Sequence, residues 1–290
     1  MGIDIGQALR EGASRTAAKN GLILAVLFAG IALLTAILWN TLFLRAVEFG
    51  LELIQTASPE ELGLTQQEYQ EQLEATREVQ SFASESMTIG VPLSVAAGGV
   101  LATALLAEAV SIIAVRIFST ETLDSISREL VTDKILFATV NGFIGSLVVW
   151  GLILIGLPLL VLPGIFFAVA FYFVRQEIAL KNKNFIQAMA DSWRITKGNR
   201  IEVLLIGFIL IVVSQLEPAT SAVVSVVSTP AGVVVGSLVG GLLTAFGAAV
   251  VTRAYVQIGE DTEPPGGGGQ ERDDEKDPYD AALGPDDLTR

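Results

Sequence analysis

The chain has 290 residues, of which 51% are hydrophobic and 17% charged, with a mean hydropathy of +0.58 and a formal net charge of −13. Soluble domains carry nearer a quarter charged residues, and the charges here leave long uncharged runs, so the composition is that of an integral membrane protein. The absence of cysteine and histidine excludes disulfides, thiolate metal sites, cysteine nucleophiles and the usual general base near neutral pH.

Residues 1–20 read as a short amphipathic helix, with Ile5, Leu9, Ala13 and Ala17 on one side and Arg10, Arg15 and Lys19 as its charge. A basic start before an apolar run also fits a signal peptide. The run from Gly21 to Leu44 is too long for a signal core and lacks a small-x-small site, so it is expected to be a first transmembrane helix. A helix needs about 20 residues to cross the hydrocarbon core, and further runs reach or approach that length. The expected spans are 21–44, 87–115, 135–155, 157–174, 201–227 and 233–252. Gly156 and Pro158 mark a tight hairpin between the third and fourth. Glu217-Pro218 interrupts the fifth, leaving three fates for 219–232: completing the span, lying flat or re-entering.

The fold class is therefore all-α: six transmembrane helices over 1–258, with short cytoplasmic interfacial helices, and a disordered acidic cytoplasmic tail over 259–290. That tail holds eleven acids and three bases, against twenty and fifteen in the rest of the chain. The acidity suggests a high-salt organism such as a halophilic archaeon; the alternative is a single acidic disordered tail. Thirteen Lys and Arg fall in the segments of one side and two in those of the other, which places both termini in the cytoplasm of a multi-pass cell-membrane protein. The outer loop 45–86 carries nine glutamates. It offers Ser58-Pro59-Glu60-Glu61 as a helix start and Thr65 with Glu68 as a capping box, so one or two exposed helices are expected there.

Between the fourth and fifth spans lies a basic segment with an amphipathic helix. Asn184 is its cap, Phe185, Met189 and Trp193 recur at four-residue steps with Ile186 beside them, and Gly198 ends it. With Lys181, Lys183, Arg194, Lys197 and Arg200 around it, this helix suits a lipid–water interface. Gln7-Ala8-Leu9 before Lys19 and Gln187-Ala188-Met189 before Lys197 look alike, and 123–134 plays the same part before the third span. The chain thus reads as three units, each an interfacial helix followed by a transmembrane hairpin.

Small residues at four-residue spacing, Gly232, Gly236 and Gly240 on the last helix and Gly90, Ser94, Gly98 and Ala102 on the second, predict close helix packing, within the bundle or across a homo-oligomer. Glu108 is the candidate intramembrane acid, about 12 Å along its helix from Arg116; Glu217 is expected near the outer surface. No nucleotide-binding or nucleophile-elbow motif is present, so no catalytic, cofactor-binding or metal-binding residue is expected and no enzyme activity. A basic groove is lacking, so nucleic acid is not an expected partner.

Pro163-Gly164 within a span, Glu177, then Ala188, Ser192 and Lys197-Gly198-Asn199 before the next span resemble the membrane domains found with glycerophosphodiester phosphodiesterases, and their stand-alone relatives. The resemblance covers roughly 130–255. It implies a multi-pass membrane domain without the soluble phosphodiesterase and its metal ligands, so that activity is not implied. The expected function is a non-enzymatic membrane protein that organises the bilayer or binds a protein partner. The alternative is a small transporter or channel with a midplane site between helices kinked at Pro158, Pro163 and Pro218.

Overall fold

The computed structural model describes residues 2–120 and 128–262. It is all-α, with no strand among the described residues, and six of its helices or helix pairs are long and apolar enough to cross a membrane. The first unit comprises α1 (Ile5–Ala17), α2 (Lys19–Thr56), α3 (Gln66–Ser84) and α4 (Leu93–Ser119). The second comprises α5 (Arg128–Thr132), α6 (Ile135–Leu160), α7 (Leu162–Ala170) and α8 (Val174–Lys181). The third comprises α9 (Phe185–Thr196), α10 (Arg200–Ser214), α11 (Leu216–Ser225) and α12 (Thr229–Thr262). Of the 123–134 segment, Arg128–Thr132 is helical and 121–127 lie outside the described residues.

The spans shift from their sequence bounds for local reasons. Helix α2 is 38 residues long, about 57 Å at 1.5 Å per residue, nearly twice a hydrocarbon core of about 30 Å. It therefore continues past Arg45, which pairs with Glu48 at 2.7 Å and donates to the Val91 carbonyl at 3.1 Å. The expected helix start at Ser58 closes only turns, although Ser58 and Glu61 hydrogen-bond reciprocally, because Gly63 takes a left-handed φ of 67°. The Thr65–Glu68 capping box does form, and it starts α3. The third span runs through Pro158, and the chain breaks at Val161 (φ 63°) instead of at Gly156. Gly156 serves the hairpin differently: a Cβ there would sit 2.6 Å from the Gly164 nitrogen, so α6 and α7 approach backbone to backbone. The last helix extends to Thr262, so 259–262, assigned to the tail, are helical; 263–290 lie outside the described residues.

Helix α12 is the central member and packs on α2, α11 and α1, while α2 also packs on α4 and α4 on α8. The core is built at the end of the bundle where Arg15, Arg116, Lys181 and Arg253 gather, called here the basic end. There Phe118, Phe173, Ile178, Ile206 and Val250 are fully enclosed. In their most apolar windows the third and fifth spans are only 17% and 11% buried, against 33% or more for the other four. These two are therefore the peripheral helices, and their Leu147, Trp150, Phe208 and Ile211 face outward.

The segment 216–225 completes the fifth span after a bend at Gln215 and runs back along α12. Added Cβ atoms at Gly232, Gly236 and Gly240 would meet Ser225, Ser221 and Glu217 at 1.9, 2.9 and 3.1 Å. Matching four-residue steps on two antiparallel helices let them interdigitate, and the glycine face is used inside this chain. On the second span the expectation fails. Gly90 precedes α4 and Gly98 is exposed, with nothing near either, and it is Gly99 that packs, against Leu38 of α2.

Candidate functional site

Five residues beyond the end of α7, Arg175 lies on α8 about 9 Å from Lys181 at the end of its span. Its Nε donates to Glu108 Oε1 at 3.0 Å and its Nη2 to Glu108 Oε2 at 2.9 Å, a bidentate pair joining α8 to α4. Glu108 is 7% exposed and Arg175 is 42% exposed, so the acid is sealed and the guanidinium reaches an open side. Gly142 of α6 is what admits the carboxylate: a Cβ there would lie 2.4 Å from Glu108 Oε1. Ser146, one turn on, accepts a long bond from Nη2 at 3.5 Å.

Arg175 and Tyr172 stand in the walls of two cavities. One, of about 370 Å³, is a groove between α6 and α10 floored by α7. Its walls are Val149, Trp150 and Ile153 from α6, Phe171 and Ala168 beneath, and Ile211 from α10; Arg175 and Ser146 supply the polar end. The other, of about 300 Å³, lies inward among α4, α8 and α12. An apolar trough with a hydrogen-bonding head, at membrane depth and between the two least-buried spans, is the shape of a site for an amphiphile.

Glu177, two residues on, is wholly buried and serves a different end. It accepts from Lys181 at 2.9 Å, from Lys183 at 2.6 Å and from the Tyr255 hydroxyl at 2.6 Å. Lys183 also pairs with Asp191 of α9, and Lys181 lies 5.6 Å from the centroid of the Tyr255 ring. This hub ties α8, the α8–α9 turn and α12 together. Lys181 and Lys183, expected to face headgroups, are thus engaged by a buried carboxylate. Arg194 pairs with Asp191, and Arg200 lies over Phe166 and Trp193 at 4.7 and 5.5 Å. Lys197 is exposed, like Ile186.

The apolar stripe of α9 also resolves differently. Asn184 caps the helix as expected, accepting from the Gln187 amide at 3.0 Å. Its most buried face is Ala188, Ser192 and Thr196, one position off the expected Phe185–Met189–Trp193 line. Ser192 Oγ donates to the Ala170 carbonyl at 3.0 Å and accepts from the Phe173 amide at 3.1 Å, occupying groups freed where α7 gives way to α8. Phe185 and Met189 flank this face against the core, and Trp193, 39% exposed, packs edge-on to Phe166. The helix is docked on the bundle.

A family model described as a domain of unknown function, DUF7847, matches residues 3–258. The chain belongs to this family. No curated protein and no solved structure matches it. The match takes in α1 through α12, so the arginine pair, the cavities and the Glu177 hub all fall within the family's domain.

Sequence reading singled out Glu108 but missed its partner, 67 residues away. It also missed the hub, because Tyr255 lies 78 residues from Glu177. One signal was available: Val115-Arg116, Val174-Arg175 and Thr252-Arg253 each place an arginine after a β-branched residue near the end of a return helix.

Proposed function

We propose that this is a non-enzymatic, multi-pass cell-membrane protein, with both termini in the cytoplasm, that binds an amphiphile from the bilayer in the groove between α6, α7 and α10. The observation that carries the reading is the placement of Arg175 and Ser146 at one end of a trough otherwise walled by Trp150, Ile153, Phe171 and Ile211. A lipid entering sideways would lay its chain on these residues and present a hydrogen-bond acceptor to the guanidinium. Arg175 is already neutralised by Glu108, so the best acceptor is the ester or ether region of a glycerolipid. Thirteen basic residues against two support the orientation, and the acidic composition supports a high-salt setting. The likeness to the membrane domains associated with glycerophosphodiester phosphodiesterases is consistent with a lipid ligand, with Pro163-Gly164 in the floor of the hairpin and Lys197-Gly198-Asn199 leading into α10.

Native mass spectrometry of detergent-purified protein tests this. Wild type should retain bound lipid. Ala168→Trp, which fills the trough, and Arg175→Met, which removes its head, should each lose it. Leu154→Trp, on an exposed part of α6, should not. Equal retention by all four proteins refutes the site.

A further inference from the structure

The basic residues around α9 do not share one fate. Lys181 and Lys183 are held by Glu177, and Arg194 by Asp191. Arg200 has no such partner. Among the described residues its guanidinium makes no hydrogen bond and no ion pair, and its Nε is sealed from the surface without an acceptor. The acids nearest to it in sequence are engaged elsewhere. Asp191 holds Lys183 as well as Arg194, and Glu202 is turned toward Gly2, where an added Cβ would lie 3.0 Å from its Oε1.

An arginine cannot shed its proton, and a partly buried charge without a counter-charge is disfavoured. The side chain is nevertheless held in place, its guanidinium 4.7 Å from the centroid of the Phe166 ring and 5.5 Å from that of Trp193. Stacking on aromatic faces leaves the in-plane N–H donors free, and that fork matches the geometry of a phosphate. Only Nε is sealed, so the Nη end of the fork is the part left open. Arg200 is also the first residue of α10, whose cap residue Asn199 makes no side-chain bond. The unbonded first amides and the positive end of the helix dipole add to its charge. Lys197, exposed, stands three residues before it.

What lies beyond the arginine selects the source of the phosphate. From Arg200 onward α10 presents Ile201, Leu204, Leu205 and Phe208, all exposed, on a peripheral span that is only 11% buried in its apolar window. A phosphate on Arg200 therefore has an uncovered apolar wall beside it on which acyl chains can lie, and a soluble phosphate would leave that wall unused. We propose that Arg200, braced by Phe166 and Trp193 and assisted by Lys197, binds the phosphate of an anionic phospholipid at the basic end of the fifth span. The site is separate from the lateral groove, whose residue on α10 is Ile211, eleven positions and so about 16 Å further along the helix.

Trp193 is one of three tryptophans, and with Trp39→Phe and Trp150→Phe it reports alone from beside the guanidinium. In reconstituted vesicles its quenching by phosphatidylglycerol brominated near the top of its chains is compared with quenching by equally brominated phosphatidylcholine. The anionic lipid should be preferred about fivefold or more. Arg200→Gln should bring the preference close to one, and Arg200→Lys should lose most of it, because lysine keeps the charge without the planar fork. Lys197→Gln, at an exposed position, should lower it about twofold. Arg194→Gln, which removes an equal charge from α9, should leave it unchanged, as should Arg175→Met in the groove. No preference in the wild type overturns the proposal. A preference that Arg194→Gln reduces as far as Arg200→Gln does belongs to diffuse surface charge and overturns it equally. Relief of the quenching by millimolar glycerol 3-phosphate means that the arginine takes a free phosphate, and overturns the lipid as its occupant.

Discussion

Replacing Glu108 by Gln and Arg175 by Met, singly and together, separates two kinds of unpaired charge. Glu108→Gln leaves a guanidinium without its counter-charge, and that group cannot shed its proton. Removing one partner of a buried pair costs about 3–5 kcal/mol. With Arg175 42% exposed, the lower end of that range applies. Arg175→Met leaves a sealed carboxylate without its counter-charge instead, at a similar cost. The double variant removes both charges and should come back to within about 1 kcal/mol of wild type. In thermal unfolding in detergent at pH 7, both single variants should lose about 6–12 °C, given about 2–4 °C per kcal/mol for a domain of this size. Losses in the double variant that add would refute the pairing as described.

Gly236→Leu should destabilise the bundle by about 1–3 kcal/mol through overpacking against Ser221, whereas Leu238→Ile, on an exposed face, should leave the melting temperature unchanged. Thiols introduced singly at Ser58 and Lys197 should label from opposite sides of sealed vesicles; labelling from one side would overturn the six-span reading. Lys197 is the better inner reporter, because Lys183 is held by Glu177 and Asp191. Burial works to raise Glu11, but hydrogen bonds from Gln7 and Arg253 outweigh it and hold the carboxyl below the usual carboxylate range. Its contribution to docking α1 is therefore present above about pH 4.3 and lost as pH falls through the depressed value. The melting difference between wild type and Glu11→Gln, present at pH 7, should close as pH falls through that depressed value, and a difference constant with pH would remove the ion pair from the account.

What was legible in the sequence was set by long apolar runs and by charge. The six spans follow from runs that no soluble core requires, and the capping box and the Asn184 cap from local hydrogen-bond chemistry. The face of Gly232, Gly236 and Gly240 was visible as spacing, though not its partner. The misreadings arise where tertiary contact decides. Gly98 and Gly99 are adjacent and chemically identical, and only the approach of Leu38 selects the second. The α9 stripe looked apolar at Phe185, Met189 and Trp193, yet the buried face is the one whose Ser192 meets backbone groups freed by the break in α7. Nothing local announces such a break, since Phe171 and Phe173 read as continuing helix.

The threefold plan gives Arg175 its distinction. Helices α1 and α9 correspond closely: Asp4 and Asn184 cap Gln7 and Gln187, and Thr16 and Thr196 bond back to Gly12 and Ser192. Arg116 and Arg253, on the return helices of the first and third units, both serve the interfacial helix that comes next around the bundle. Arg116 donates to the carbonyls of Leu130 and Asp133 beside α5, and Arg253 pairs with Glu11 of α1. By the same plan Arg175 would serve α9. It does not, because Glu177 has taken that work through Lys183 and Asp191. Arg175 is left to turn toward Glu108 at membrane depth, in the walls of both cavities. A repeat that frees one arginine from its structural task and buries a carboxylate to hold it there sets the middle unit apart, and that is where the groove proposed to take an amphiphile opens.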